Sequence, residues 1–391
     1  KEKSIAEKMG WKYYLPEAEQ EPEVRAELNS QLLTSYTDFR IENVKIIDPC
    51  MGSGHILVYA FDVLMQIYES CGYTQRDAAK SIIENNIFGL DIDNRAYQLA
   101  YFALMMKARQ YNRRILNGAT KPNVYAIQES NGINRDQLQY FGAGMEEMQR
   151  NVALLQMHGL LDTFIDAKEY GSILNVDSYD WELMRQFVDK LDLLGQLSFD
   201  AVGVEETQAQ LRLLVEIGAG LAQKYDVVVT NPPYMGSSMM NGWLSDYVKN
   251  NYPSTKGDIF AAFIEKGNSM VKKNAYNCMV TMQSWMFLSS YEKMRENIIL
   301  NKTIANLMHM ESMVMGIAFG TAVANFKDCH IKGFKGTYCH IKLNDIENDE
   351  PKQFPVTGNR FAQVSTENFS KIPGMPIAYW VSDNIQKSYS N

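Results

Sequence analysis

The feature that most constrains this chain is a repeated alternation between short apolar runs and longer helical segments. The strand candidates are VKIID (44–48), IFGLDID (87–93), NVYAIQ (123–128), YDVVVT (225–230) and NCMVTMQ (277–283). Short strands separated by helices of this length are typical of a parallel sheet that is covered by helices on both faces. The sequence therefore predicts a doubly wound, Rossmann-like α/β fold.

The alternation is interrupted over residues 141–221, which we interpret as an acidic helical insertion. Residues 145–220 contain fourteen acidic and five basic side chains, a balance of −9, although the whole chain carries only −8. Apolar residues recur there at helical spacing, for example Val152 with Leu155 and Leu211 with Leu214. We expect a solvated helical excursion rather than an active element. Because the local field governs DNA binding, the overall charge neither favours nor excludes it.

The composition indicates an ordinary globular protein, with 46% apolar and 21% charged residues. No apolar run is long enough to span a bilayer, and the chain does not open on a signal peptide. Five scattered cysteines form no disulfide framework, which favours a reduced cytoplasmic protein.

A glycine-containing turn, DPCMGSG (48–54), follows the first strand and precedes an apolar helix. In a doubly wound sheet the ligand crevice lies at the carboxyl ends of the strands. Gly52 and Gly54 would let a ligand approach the backbone closely. The turn is neither GxGxxG nor GxxxxGK, so dinucleotide and triphosphate sites lose support. Taken alone, such a turn is structural as often as functional.

The second strand ends in LDID (90–93), about 40 residues after the glycine turn. A carboxylate at Asp91 can accept the hydrogens of both hydroxyls of a ribose. Either Asp91 or Asp93 could instead cap the following helix, and Asp93 is the better candidate for that cap. The pattern predicts a nucleoside ligand that has no pyrophosphate.

The fourth strand ends in NPPY (231–234), where two prolines fix the backbone. The amide oxygen of Asn231 and the carbonyl of Pro232 can together accept two hydrogens from one planar amine. The ring of Tyr234 can stack on the ring that carries this amine. A turn that only ends a strand would need a single proline, so the motif indicates a site that positions an amine for an electrophile.

DPCMGSG, LDID and NPPY in this order resemble the motifs of S-adenosylmethionine-dependent DNA N6-adenine methyltransferases of the gamma group. Longer runs, such as LDIDNRAYQLAYFALMMKARQYNRR and MQSWMFLSSYEKMR, resemble BREX (bacteriophage exclusion) adenine-specific methyltransferases of the phage-growth-limitation X family from about residue 40 onward. The resemblance implies the class I methyltransferase fold and methyl transfer to adenine N6 in double-stranded DNA by base flipping, within a bacterial phage-defence system. It also implies S-adenosylmethionine as cofactor, and DNA and other phage-defence proteins as partners.

The resemblance also suggests a division of the chain. Residues 1–40 would form an N-terminal helical segment, while 41–140 and 222–345 would be the cofactor and catalytic halves of the methyltransferase core. Residues 141–221 would be the insertion, and 346–391 a linker into a target-recognition domain. The family's threonine–proline turn is not visible in residues 1–40, so we expect this chain to be the core of a longer protein.

The resemblance assigns roles residue by residue. The cofactor would contact Asp48, Pro49, Cys50, Met51, Gly52, Gly54, Asp91, Ile92, and Gln128 or Glu129. Within this set the Asp48–Gly54 turn would face the methionine end. The family usually has an aspartate where this chain has QESN, so Gln128 or Glu129 would bind the cofactor's adenine instead. Asn231, Pro232, Pro233 and Tyr234 would hold the target adenine. For the residue that clamps its other face, Met315 aligns best and Phe319 is the second candidate.

The sequence also raises one possible metal site and two other functions. Cys–His pairs at 329–330 and 339–340 flank a predicted hairpin, but neighbouring strand residues point to opposite faces, so we expect no metal site. The same catalytic turn also occurs in methyltransferases that act on RNA bases or on glutamine amides of release factors, whose chains are usually shorter. An inactive methyltransferase-like scaffold for defence partners is the second of these functions.

Overall fold

Helices and strands alternate along the chain as the apolar pattern predicts. The computed structural model describes residues 2–37, 39–191, 203–358 and 360–381. The strands are β1 Ile46–Asp48, β2 Ile87–Asp91, β3 Asn123–Ala126, β4 Tyr225–Thr230, β5 Val271–Met282, β6 Thr303–Met310, β7 Thr321–Lys327, β8 Lys335–Ile341, β9 Ile346–Glu347, β10 Glu350–Pro351 and β11 Phe361–Ser365. The helices are α1 Glu2–Met9, α2 Pro22–Tyr36, α3 His55–Ser70, α4 Gln75–Ser81, α5 Asn94–Tyr111, α6 Glu147–Thr163, α7 Ala167–Tyr170, α8 Trp181–Asp189, α9 Val204–Ala222, α10 Gly242–Asn251, α11 Ile259–Met270 and α12 Glu292–Asn301.

The described residues form a nine-stranded sheet in the order β3-β2-β1-β4-β5-β7-β6-β8-β11. The pairs from β3 to β5 are parallel, whereas β7 is antiparallel to both of its neighbours. The chain winds outward from β1 to β3, and after the insertion it returns to β4 on the other side of β1. This reversal is the topological switch point of a doubly wound sheet, where ligands bind. The predicted doubly wound α/β fold is therefore confirmed.

Helices α6, α8 and α9 lie between β3 and β4 in the chain. They pack against the sheet, whereas a solvated helical excursion was expected. Their buried side chains, such as Leu160, Phe187 and Leu214, share one hydrophobic cluster with β1 and β4. The expected apolar face of α6 was wrong, because Leu155 is 74% exposed and Val152 is also exposed. Spacing alone did not distinguish this stripe from the buried one, which includes Ala153, Met157 and Leu161.

The predicted hairpin between the two Cys–His pairs was wrong. Strand β6 lies between β7 and β8, and β8 pairs with β6 in parallel. Part of the expected linker belongs to the sheet, because β11 pairs antiparallel with β8. Phe369, Ile377 and Tyr379 then bury their side chains in the main core. Two apolar segments separated by glycines resemble a hairpin in the sequence. The hairpin does not form because β6 lies between β7 and β8 in the sheet.

The amino-terminal segment packs on the same end of the sheet. The Gln20 amide donates to the carbonyl of Lys335 (2.8 Å) and accepts from its N–H (2.9 Å), a pairing that holds the segment against β8. Helix α2 begins at Pro22, a position in which the missing N–H has no cost. In the described residues no helix has both the length and the apolarity needed to cross a membrane.

Gly54 joins the glycine turn to α3 and tolerates no side chain. Its φ is +85°, and a Cβ there would lie 3.0 Å from both Cα and Cβ of Ala100 in α5. Two constraints therefore coincide, a left-handed backbone and a close approach between the turn and a buried helix. The helix that begins here closes the second hydrophobic cluster, formed with α4 and α5.

We predict that Gly54→Ala lowers the free energy of unfolding by about 2–4 kcal/mol, because strain and the contact with Ala100 add. Gly118→Ala is the matched control, since Gly118 has φ +87° but nothing within 4 Å of its missing Cβ. That control should cost about 1 kcal/mol. Chemical denaturation of both variants measures the difference, and equal losses would contradict the close packing at Gly54.

Candidate functional site

The carboxyl ends of β1, β2 and β4 meet at one edge of the sheet, as expected for parallel strands. Asp48, Asp91 and Thr230 are the last residues of these three strands. The Thr230 hydroxyl donates to Asp48 Oδ1 at 2.6 Å, and the Gly52 N–H donates to Asp91 Oδ2 at 2.9 Å. The structure thus brings the three predicted motifs together around the switch point.

The glycine turn is held by hydrogen bonds to the strand ends. The Cys50 N–H donates to Asp48 Oδ1 (3.0 Å) and the Met51 N–H to the Leu90 carbonyl (3.0 Å). Pro49 and Met51 are buried beneath the turn. Gly52 has φ +52°, and a Cβ there would meet nothing within 4 Å, so the space above the turn is open. The backbone at Gly52 is therefore accessible from this side, and its contact with a ligand remains a prediction.

Gly89 lies beneath this turn and was missed by the sequence analysis. A Cβ on Gly89 in β2 would lie 2.5 Å from the Met51 sulfur and 2.7 Å from Leu57 Cδ1. Because Gly89 has no side chain, the turn can pack directly against β2. A glycine inside an apolar strand run was the available signal, because it marks a close approach between chain segments.

Asp48 is fully buried, and its carboxylate is unusual. Oδ1 accepts two hydrogen bonds, but Oδ2 has no partner among the described residues. The pKa of Asp48 is raised to about 7, mainly by burial and to a smaller extent by the nearby Asp91, although the bonds from Thr230 and Cys50 lower it. Burial also raises the pKa of the Cys50 thiol, which stays neutral. The site therefore contains a carboxyl with one unused acceptor that ionises near neutral pH.

Asp91 is more accessible and links two loops. Oδ2 accepts from Gly52, and Oδ1 accepts from the Asp93 N–H at 2.9 Å. A carboxylate offers about four acceptor positions, so two remain for a ligand. Asp93 caps α5 through a 2.7 Å bond from the Arg95 N–H, as predicted. The apolar side chain of Ile92 between them is 49% exposed, as a surface for a flat ring would be.

The two candidates at the end of β3 differ in their surroundings. The Gln128 amide donates to the Ala126 carbonyl at 3.0 Å, so part of its capacity is already used. Glu129 is exposed, and its carboxylate has no pairing in the described structure. The assignment of either residue to a ligand remains a prediction, and Glu129 is the freer acceptor.

The NPPY turn projects from the end of β4 with Pro232 buried and Asn231 exposed. The Tyr234 hydroxyl lies 2.8 Å from Asn231 Oδ1 and 3.1 Å from the Val280 carbonyl. One hydroxyl hydrogen therefore faces two acceptors. Burial raises the pKa of Tyr234 to about 12, so the hydroxyl keeps its proton at neutral pH. The amide oxygen that the sequence predicts to receive an amine is occupied by this hydroxyl.

Aromatic rings surround Tyr234. Phe319, predicted as a weaker base clamp, lies edge-to-face with Tyr234 at a centroid distance of 5.4 Å. Phe260 approaches in the same way at 6.2 Å. The side chain of Met315 lies outside the described part of the structure. Phe319 is thus adjacent to the turn, and its contact with a base remains a prediction.

Asp258, the residue before α11, supports the turn. Its Oδ1 accepts from the Met235 N–H (3.0 Å) and from the Phe260 N–H (3.2 Å), so one carboxylate caps α11 and anchors the NPPY turn. The aspartate before the apolar run IFAAFI was the available signal of an N-cap. Among the described residues, no group of three or more His, Cys, Asp or Glu could hold a metal ion.

Asp258→Ala should lower the free energy of unfolding by about 1–2 kcal/mol, because a helix cap and the anchor of the turn are both lost. Asp180→Ala is the control, since Asp180 caps α8 through a single bond from the Leu183 N–H (3.0 Å), away from the turn. We expect both variants to be destabilised, and only Asp258→Ala to change the fluorescence or exchange rates of the NPPY turn. If the two variants leave the NPPY turn equally unchanged, Asp258 does not anchor it.

Comparison with known proteins agrees with this geometry. Residues 85–314 match the model of the Eco57I restriction-modification methylase, and residues 23–139 match the DNA-methyltransferase domain of MmeI. The chain is 37% identical over 392 residues to the adenine-specific methyltransferase PglX of Lacticaseibacillus casei (strain Zhang), covering 97% of this chain and 31% of that protein. It is 37% identical over 390 residues to the adenine-specific methyltransferase BrxX of Escherichia coli O9:H4 (strain HS), covering 95% and 32%.

The chain thus spans about a third of the length of these curated relatives. A solved structure of a type I R-M system superposes with a TM-score of 0.49 at 14% identity, over 91% of this chain and 57% of that chain. The relatives confirm the expected resemblance to the phage-growth-limitation X methyltransferases. Since the first family model covers more than half of the residues, the chain belongs to the Eco57I restriction-modification methylase family.

Proposed function

We propose that this chain transfers a methyl group from S-adenosylmethionine to the N6 amine of adenine in double-stranded DNA. The observation that carries the proposal is the position of the NPPY turn. It extends from β4, and β4 pairs directly with β1, whose end carries the glycine turn. An amine held by Asn231 would therefore lie beside a ligand held over Gly52.

The residues at the glycine turn fit this cofactor. The two unused acceptor positions of Asp91 suit the ribose hydroxyls, and the exposed face of Ile92 with Gln128 or Glu129 suits the adenine. Asp48 supplies negative charge at the opposite end, where the methionine ammonium would lie. When bound, S-adenosylmethionine supplies a methyl group activated by its sulfonium. The protein's part is to bind it, orient it and exclude water.

The NPPY turn supplies the other half of the reaction. Asn231 Oδ1 and the Pro232 carbonyl would accept both amine hydrogens, which orients the nitrogen lone pair toward the methyl group. The incoming amine would replace the Tyr234 hydroxyl on Asn231, and that hydroxyl can then donate to Val280 alone. The Tyr234 ring, with Phe319 beside it, would hold the base by stacking.

The substrate class rests on this geometry together with the relatives, both of which are named adenine-specific methyltransferases. A target adenine in a duplex must leave the base stack to reach Asn231, which costs a few kcal/mol. We further propose that the protein acts with other phage-defence proteins in a reduced cytoplasm. The five unpaired cysteines are consistent with that compartment.

Asp91→Ala should weaken binding of S-adenosylmethionine by about 10- to 100-fold, because a charge-assisted pair of hydrogen bonds is lost. Titration calorimetry measures this affinity directly. Asp93→Ala is the control, since it alters a neighbouring carboxylate that caps α5 and faces no proposed ligand. Equal affinities in the wild type and Asp91→Ala would remove Asp91 from the cofactor site.

Asn231→Ala should lower methyl transfer by about 100- to 1000-fold while leaving cofactor affinity within about 3-fold, because only the amine loses its acceptor. The assay follows tritiated methyl transfer to DNA, RNA and protein. Asn301→Ala, at the exposed end of α12 on the opposite edge of the sheet, is the control. Transfer to RNA or to glutamine amides, and not to DNA, would show that the proposed substrate is wrong. Full activity in Asn231→Ala would refute the proposed mechanism.

A further inference from the structure

The hydrogen bond between Thr230 and Asp48 joins two strands that carry different halves of the site. Thr230 is 1% exposed and Asp48 is 0% exposed, and their 2.6 Å bond spans 182 positions of the chain. Thr230 directly precedes Asn231, and Asp48 is the first residue of the glycine turn. The bond therefore lies between the segment proposed to hold the amine and the segment proposed to hold the cofactor.

Packing alone does not account for this threonine. It ends the run VVVT, and valine has nearly the same shape, so a fourth valine would fill the same volume. A buried hydroxyl needs a hydrogen-bond partner, and a buried carboxyl costs more still. The pair leaves Asp48 Oδ2 without a partner among the described residues. An arrangement that only stabilised the fold would satisfy this oxygen or replace it with an apolar group.

We propose that Thr230 is a positioning residue, whose hydroxyl fixes the Asp48 carboxyl so that Oδ2 receives the cationic methionine end of the cofactor. The same bond sets the distance between Asn231 and the glycine turn. This inference rests on the proposed function and adds a residue that the three motifs do not contain. Thr230 itself touches neither substrate nor cofactor and acts through Asp48.

The charge on Asp48 depends on this bond. Two titratable groups face it, Asp91 from β2 and Cys50 from the glycine turn, and the Cys50 thiol is neutral. The Thr230 hydroxyl and the Cys50 N–H oppose the effect of burial by donating to the carboxylate. Loss of the Thr230 donor raises the pKa of Asp48 further, so ionisation then requires a higher pH. Affinity for a cationic ligand should follow the ionised fraction.

Binding of S-adenosylmethionine to the full-length protein, measured by calorimetry between pH 6 and pH 9, tests this role. In the wild type, affinity should rise with pH through about 7. Thr230→Val should move that rise upward by about one pH unit, since a hydrogen bond to a charged group is lost. Thr230→Ser keeps the donor and should restore the wild-type profile. Asp48→Asn should bind weakly and lose the rise near pH 7, which leaves only the change that titration of the ligand's own α-amino group causes near pH 8.

Thr303→Val controls for the loss of any buried hydroxyl, because Thr303 is 2% exposed and lies at the amino end of β6 on the opposite edge. It should lower thermal stability without moving the pH profile. If Thr230→Val gives too little folded protein, Thr230→Ala removes the same donor and should move the profile in the same direction. An unshifted profile in Thr230→Val, or a pH-independent wild type, overturns the inference. No cofactor binding by the wild type at any pH would instead overturn the proposed function.

Discussion

The site depends on the pairing of β1 with β4, two strands whose partners lie about 180 positions apart in the chain. Each strand ends at the same edge, so the turn after β1 and the turn after β4 become neighbours. Parallel strands need long connections, and here the connection includes β2, β3 and the inserted helices. The buried bond between Asp48 and Thr230 then fixes the two strand ends relative to each other.

The insertion contributes to this arrangement more than its acidity suggested. The segment after α7 contacts the helices that follow the NPPY turn, because the buried Lys266 in α11 donates to the Leu174 carbonyl at 2.7 Å. Burial lowers the pKa of Lys266 to about 8. Tyr252, which follows α10, donates to the Ile173 carbonyl at 2.6 Å. Residues 173–174 of the insertion are thus bonded to α11 and to the residue that follows α10.

The sequence was informative where a local pattern determines local structure. The alternation of strands and helices, the cap at Asp93 and the turn at NPPY all follow from residues close together in the chain. Local patterns do not determine the structure where a partner from a distant part of the chain does. Val152 and Leu155 have helical spacing, but their side chains are exposed and pack on no other element of the described structure. Strand β6 separates the two strands that were expected to form a hairpin. Gly89, Thr230 and Asp258 were missed for the same reason, since their partners belong to other segments.

The buried carboxyl of Asp48 also makes the site a source of instability. Its folded-state pKa is about 7 against an ordinary value of 3.8, so between these values the folded state holds the proton more tightly than the unfolded chain. Stability therefore falls as the pH rises through this window, and the full penalty is present above it. A shift of this size corresponds to at most about 4 kcal/mol. A cation bound at Oδ2 would remove much of this penalty, because it binds the folded state alone. On the function proposed here, cofactor binding and the stability of the β1–β4 junction are thus linked through one carboxyl group.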